Sequence, residues 1–140
     1  MNKYTISDCK LIYLTKFQER DNGSLSFVEN QNQIPYDIKR VFFLYDIPGG
    51  ESRGAHAHLK CHQFLVAVSG SFGVEVDDGN RQFKHYLNRP DFGLLVPCGI
   101  WASEVDFSSG ATCLVLASDK FSENDYIRDY DKFLNLKNEV

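Results

Sequence analysis

Two runs of alternating residues meet at one turn between Phe72 and Leu87, and no other feature limits the fold of this chain as strongly. Phe72, Val74 and Val76 fall on every second position, Asp77-Asp78-Gly79-Asn80 interrupts them, and Phe83, His85 and Leu87 resume the pattern. A period of two places these side chains on one face of an extended chain, and the acidic-glycine turn reverses it, so the segment is an antiparallel hairpin. Similar short runs recur at regular spacing. Cys9 to Leu14 and Ser24 to Glu29 flank a turn rich in Asp21, Asn22 and Gly23, and Ile38 to Tyr45 ends at Pro48-Gly49-Gly50. Phe64 to Val68 is continuously apolar and suits the inside of a sandwich or barrel. Leu94 to Val96 precedes Pro97-Cys98-Gly99, and Thr112 to Ala117 follows Ser108-Ser109-Gly110. Such a series describes an all-β, antiparallel barrel or jelly roll.

The tail changes character. Ser122 with Asp125 three residues on resembles a helix N-cap, and Tyr126, Ile127, Tyr130, Phe133 and Leu134 follow a helical period, which predicts one short terminal helix lying on the sheet. No repeat or linker divides residues 1–140, so a single domain is expected.

The stretch GESRGAHAHLKCHQFLVAVSG, Gly50 to Gly70, carries the chemistry. In an extended chain His56 and His58 share a face while Ala57 points the other way, so two imidazoles enter one pocket. His62 lies four residues beyond His58 and, in the same strand, shares that face; Gln63 alternates away unless the strand bulges. Arg40 interrupts an apolar run, Arg53 and Lys60 flank the histidines as candidate phosphate donors, and Trp101 offers a surface for a sugar or a base. A histidine that titrates near neutrality is a natural general base for a carbon acid beside a carbonyl, and a buried cation such as Arg40 or Arg53 suits the developing enolate.

Charge and cysteine usage narrow the partners. A net charge of −4 argues against a nucleic-acid surface. Cys9, Cys61, Cys98 and Cys113 are dispersed with no CxxC pair, which points away from a disulfide scaffold or zinc knuckle. Neither the opening MNKYTISDCKLIYL nor any later segment holds a signal-like or membrane-spanning apolar run, so a soluble, cytoplasmic protein with no membrane partner is expected.

The histidine stretch resembles the first signature of the cupin family of jelly-roll barrels: Gly50, His56, His58, Gln63 where Glu is usual, and Gly70. In the second signature Pro97 and Gly99 match, while Ala102 stands where a histidine belongs and Asp91 and Asp106 replace Gly and Asn. Two neutral nitrogens are a poor cage for a divalent ion, so no metal and no cofactor are expected, and the histidines are free to move protons.

A closer resemblance is carried by IPYDIKRVFFLYD, SRGAHAHLKCHQFLVAVSGS, VDDGN, GLLVPCGIW and LVLASDKFSENDYIRDYDKF in that order. They are similar to the WxcM-like nucleotide-sugar 3,4-ketoisomerases, which act on dTDP-4-keto-6-deoxyglucose. The resemblance implies a cupin jelly roll (RmlC-like), a homodimer that exchanges N-terminal strands, and histidine-mediated proton transfer between sugar C3 and C4 through an enediol or enediolate. Its 3-keto product feeds amino-deoxysugar synthesis. His56 maps onto the main base, His58 onto its partner or second acid, and Arg40 onto a substrate-binding or enolate-stabilising arginine; Arg53, Lys60, His62, Gln63 and Trp101 complete the candidate substrate site. Family members carry a Tyr pair where this chain has Phe42 and Phe43, and His or Arg at Ala102, and Arg or Tyr at Asn22, so the resemblance assigns no C4 configuration. A metal-dependent cupin, a sugar 3,5-epimerase and a non-catalytic nucleotide-sugar-binding cupin remain alternatives.

Overall fold

The computed structural model describes residues 4–139, so the first three residues of the opening stretch considered for a leader lie outside it. The strands in chain order are β1 Lys10–Tyr13, β2 Phe17–Glu19, β3 Gly23–Leu25, β4 Arg40–Leu44, β5 Arg53–His58, β6 Gln63–Ser69, β7 Phe72–Asp77, β8 Gln82–Leu87, β9 Phe92–Val96, β10 Trp101–Val105, β11 Thr112–Ala117 and β12 Tyr126–Ile127, followed by helix α1 Tyr130–Lys137. They form two antiparallel five-stranded sheets, ordered β1-β9-β6-β11-β4 and β12-β5-β10-β7-β8, packed as a jelly roll. β2 and β3 pair only with each other.

The β7–β8 hairpin forms as its pattern requires. Phe72 pairs with Leu87 and Val76 with Phe83, and Gly79 takes φ +89° in the turn. Asp77 Oδ1 accepts from the Gly79 amide, and Asp78 Oδ1 accepts from the Asn80 and Arg81 amides, so both acidic side chains hold the reversal.

Inward side chains of both sheets fill the sandwich. Leu65, Ala67, Phe72, Val74, Val76, Leu87, Leu94, Val96 and Val115 form its core, with Phe72 stacked on Phe107 at 5.0 Å between ring centroids. Each large side chain buried in this way contributes about 1.5–3 kcal/mol. The continuous run in β6 is buried on both faces from Phe64 to Ala67, whereas Val68 at its end is exposed. Leu65 and Ala67 face the sandwich, whereas Phe64 and Val66 pack outward beneath Ile34, Tyr36 and Leu116. After β6 the chain turns at Gly70 (φ +66°), where a Cβ would lie 2.7 Å from the Ala111 Cα. Only glycine fits that turn.

Two expectations change. The strand read from Ser24 to Glu29 is short, ending at Leu25, and its partner β2 carried no alternation strong enough to be seen. The tail is not one helix beginning at Ser122. Ser122 makes no side-chain cap; a 3-10 turn spans Glu123–Asp125, β12 follows, and α1 starts only after Asp129, whose carboxylate accepts from the Asp131 and Lys132 amides. The open edge of β5 is the reason: Tyr126 pairs with His58 and Ile127 with Ala57, so backbone ladder bonds replace the first helical turn. Ile127 and Phe133 then bury the outer side of Ala57.

Candidate active site

A bulge delivers the histidines. Gly54 (φ +91°) and Ala55 (φ +68°) both occupy the left-handed region, and the β5–β10 register slips between Ala102 and Ser103. A Cβ on residue 54 would fall 2.2 Å from Glu104 Oε2, so Gly54 leaves room for that carboxyl, while Ala55 bears backbone strain just before His56. Beyond the bulge His56 pairs with Ala102 and turns into the barrel.

His56 and His58 meet edge to face at 4.9 Å between centroids, while Ala57 faces away, as the two-residue period requires. Asp125 anchors the second ring. His58 Nδ1–H donates to Asp125 Oδ2 at 2.9 Å, and Asp125 Oδ1 accepts from the Lys60 amide at 2.7 Å. That partner assigns the tautomer and leaves the Nε2 lone pair facing Gln63, whose amide nitrogen lies 3.3 Å away. The Gly99 amide donates to the His58 carbonyl at 2.7 Å and ties the β9–β10 turn to the same residue.

Tyr126 covers the pair. Its ring lies 4.4 Å from that of His58 and 4.9 Å from that of His56, and the Arg128 guanidinium stacks on it at 4.4 Å while bonded to Glu123. Arg40 reaches in from β4. Its guanidinium lies over Phe42 and Phe121, one terminal nitrogen is 4.0 Å from Cys61 Sγ, and its buried Nε has no hydrogen-bond partner. The cavity at the histidines is lined by His56, His58, Cys61, Gln63, Ala102 and Glu104, with Leu65, Val96, Pro97 and Ile100 completing it.

Burial shifts the titrating groups apart. It lowers the pKa of His56 from 6.5 to about 4, helped by His58, Arg128 and Arg40. His58 is also lowered by burial, with the Asp125 bond opposing part of the effect. Burial instead raises Glu104 from 4.5 to about 7, with Arg53 acting in the other direction. At neutral pH the cavity therefore holds two uncharged imidazoles and a carboxyl near its own midpoint.

Of the residues singled out in the sequence, the structure brings together His56, His58, Arg40 and Gln63. The others lie elsewhere. His62 does not share the histidine face, because β5 ends at His58 and the chain bends before β6, which breaks the parity; its ring sits between Tyr4 and Tyr36, and Nδ1 accepts from the Cys98 amide. The same bend turns Gln63 inward. Trp101 points outward from β10 against Tyr130 and Phe133, and Lys60 lines an outer groove with Asp119 and Lys120. Arg53 is exposed at the start of β5, opposite Glu104. Asn22, in the β2–β3 turn, bonds Glu19 and stands apart from Ala102.

Asp125, Tyr126 and Glu104 were missed as site residues. Asp125 and Tyr126 looked like parts of a helix, and Glu104 sits in a strand whose polar inward residue hid its alternation.

The cupin metal position is not supplied. Ala102 has no donor atom and the Gln63 amide faces His58 Nε2 with its nitrogen, so the usual set of three imidazoles and a carboxylate is reduced to His56 and His58.

Residues 7–138 match the family described as FdtA, WxcM-like, C-terminal. Over 111 residues the chain is 47% identical to TDP-4-oxo-6-deoxy-alpha-D-glucose-3,4-oxoisomerase of Aneurinibacillus thermoaerophilus, covering 79% of this chain and 80% of that one. The crystal structure of a 3,4-ketoisomerase from Helicobacter canadensis superposes with a TM-score of 0.91 at 41% identity, covering 94% of this chain and 98% of the other. A point mutant of the QdtA 3,4-ketoisomerase from Thermoanaerobacterium thermosaccharolyticum, crystallised with TDP-4-keto-6-deoxyglucose, gives a TM-score of 0.90 at 32% identity over 93% of this chain and 94% of that chain. A jelly roll with a histidine pair in its cavity, matched along nearly its whole length in sequence and in fold, makes this chain a member of the FdtA family of WxcM-like proteins.

Proposed function

We propose that the chain is an isomerase that converts TDP-4-keto-6-deoxyglucose to a TDP-3-keto-6-deoxyhexose, and that its own residues carry the proton transfer. The observation that carries this reading is the histidine pair, one ring anchored by Asp125, inside a closed cavity of a chain whose relatives bear that activity in their names. His56, neutral because burial holds its pKa at about 4, takes the proton from C3 of the keto sugar. The electron pair of the C–H bond forms the C3–C4 double bond, and the C4 carbonyl becomes an enediolate oxygen. Arg40 meets that charge with its unpaired Nε–H. Return of a proton to C4, together with transfer of the O3 proton, moves the carbonyl to C3. The reaction is internally balanced and requires no oxidant.

His58 takes the role of partner or second acid, oriented by Asp125 and Gln63. The 3-keto product is the kind of carbonyl that an aminotransferase converts to an amino-deoxysugar. We place the protein in the cytoplasm, where nucleotide sugars are made; no helix among the described residues is long and apolar enough to cross a membrane. A homodimer with exchanged N-terminal strands is supported by the β2–β3 hairpin, which pairs only with itself and exposes Phe17 and Leu25, and by the outward Val41 and Phe43 of edge strand β4.

Incubating the chelator-treated protein with TDP-4-keto-6-deoxyglucose tests the reading. Wild type should yield an isomer of unchanged mass with the carbonyl at C3. His56→Ala should bind the nucleotide sugar by calorimetry without turning it over. Binding without turnover in the wild type would instead identify a binding protein, and activity regained only on adding iron or zinc would identify a metalloenzyme.

A further inference from the structure

Beside the histidine pair lies a second donor cluster, which shares His58 and Cys61 with the cavity lining. A ring nitrogen of His58, Cys61 Sγ and a carboxylate oxygen of Asp125 lie within 4.8 Å of one another; His58 and Cys61 are buried and Asp125 is partly buried. Of the two ring nitrogens, Nδ1 is the one that already faces Asp125, 2.9 Å from Oδ2. We propose that these three side chains form a binding site for a thiophilic divalent cation such as zinc, and that filling it switches off proton transfer at the neighbouring site.

The donor set suits the ion. A thiolate, an imidazole and a carboxylate are the ligand types that zinc takes, and three protein ligands leave a fourth position for water. In a tetrahedral zinc site with bonds of about 2.0–2.3 Å, ligand atoms lie about 3.3–3.8 Å apart. His58 Nδ1 and Asp125 Oδ2 are already 2.9 Å apart, and no pair of ligand atoms in the cluster has to close by more than about 1 Å. The Cys61 side chain exchanges existing contacts for the metal: its S–H donates to the His62 carbonyl at 3.4 Å, it is also hydrogen-bonded by Ser118 and the Asp119 backbone, and its sulfur lies 4.0 Å from an Arg40 nitrogen. Asp125 Oδ1 stays on the Lys60 amide, which keeps the carboxylate oriented while Oδ2 turns to the metal. Thiolate and carboxylate together neutralise the ion, which offsets its repulsion by the Arg40 guanidinium. This site differs from the cupin position, since it uses Nδ1 of His58 and does not involve His56.

The consequence follows from the tautomer and rests on the isomerase reading. A neutral imidazole has one N–H. With Nδ1 bonded to the metal, that hydrogen moves to Nε2, where the lone pair facing Gln63 and the cavity is lost. The Cys61 thiol proton leaves to solvent and the ring proton only changes nitrogen, so one proton is released for each ion bound.

Cobalt(II), a spectroscopically visible substitute for zinc, tests the site apart from the activity. Titration of the chelator-treated protein should give one tetrahedral cobalt per chain, with a thiolate-to-cobalt charge-transfer band that zinc displaces and Cys61→Ser abolishes. Calorimetry in buffers of different ionisation enthalpy should show release of one proton. Stoichiometric zinc should lower the isomerisation rate by about tenfold or more, the size of loss expected when an orienting partner of a functional histidine is removed. The rate of Cys61→Ser, compared only with its own metal-free rate, should be unchanged by zinc. Absence of the charge-transfer band, or a band unchanged in Cys61→Ser, would overturn the site. Zinc inhibition that persists in Cys61→Ser would overturn the switch and place the inhibitory ion on other ligands. A cobalt band without isomerase activity in any metal state would retain the site and reject the isomerase reading.

Discussion

Asp125 gives His58 its direction, and that single contact separates a poised imidazole from a ring free to turn over. Asp125→Asn preserves shape but replaces an anionic acceptor with an amide, and it should lower kcat by about 10–100-fold with little change in KM, measured by steady-state kinetics. The two extreme titrations in the cavity predict opposite pH effects. His56, lowered from 6.5 to about 4, is unprotonated throughout the neutral range, so kcat/KM should stay level through pH 6.5 and fall only toward pH 4. Glu104, raised from 4.5 to about 7, keeps a proton in the folded chain that the unfolded chain has lost between those values. The folded state binds more protons there, so this group makes stability fall as pH rises through the window, by up to about 3 kcal/mol. Glu104→Gln removes that loss. Its advantage over wild type in urea unfolding should therefore grow from pH 4.5 to pH 7. At this scale the sequence was informative about His56, His58 and Arg40, because a two-residue period and a resembling motif are local signals. His62 and Gln63 were exchanged in role because a bend of a few residues between two strands resets which face is which.

The tail element is what closes the site. β12 and α1 dock through Ile127 and Phe133, buried to 1% and 0% exposure against Ala57, and the same segment carries Asp125 and Tyr126 to the histidines. Phe133→Ala should cost about 3–5 kcal/mol of stability in chemical denaturation. Because β12 loses its backing, the variant should also lose activity below its unfolding midpoint. Strands with clean alternation, such as β7 and β8, were legible without a structure. The tail was not, since Tyr126, Ile127, Tyr130 and Phe133 satisfy a helical period whether or not a sheet edge captures the first two. β10 was obscured for the opposite reason: its inward row, Ala102 and Glu104 following Ile100 just before the strand, puts a carboxyl in a core position and breaks the expected pattern of apolar residues.

At the scale of the whole molecule, the jelly roll holds chemistry inside and leaves apolar surface outside. Val41 and Phe43 on edge strand β4 and Tyr45 just after it are more than half exposed, as are Phe17 and Leu25 on the β2–β3 hairpin. A surface of this kind accounts for the proposed dimer, and sedimentation should give twice the 16.0 kDa chain mass, with Phe43→Glu shifting the equilibrium toward monomer. The central claim concerns where the substrate's protons go, and proton NMR of TDP-4-keto-6-deoxyglucose in D2O with the chelator-treated protein reads this directly. The account predicts a 3-keto isomer carrying solvent deuterium at C4, and no such isomer with His56→Ala. An unchanged spectrum, or deuterium entering only at C5, would contradict it.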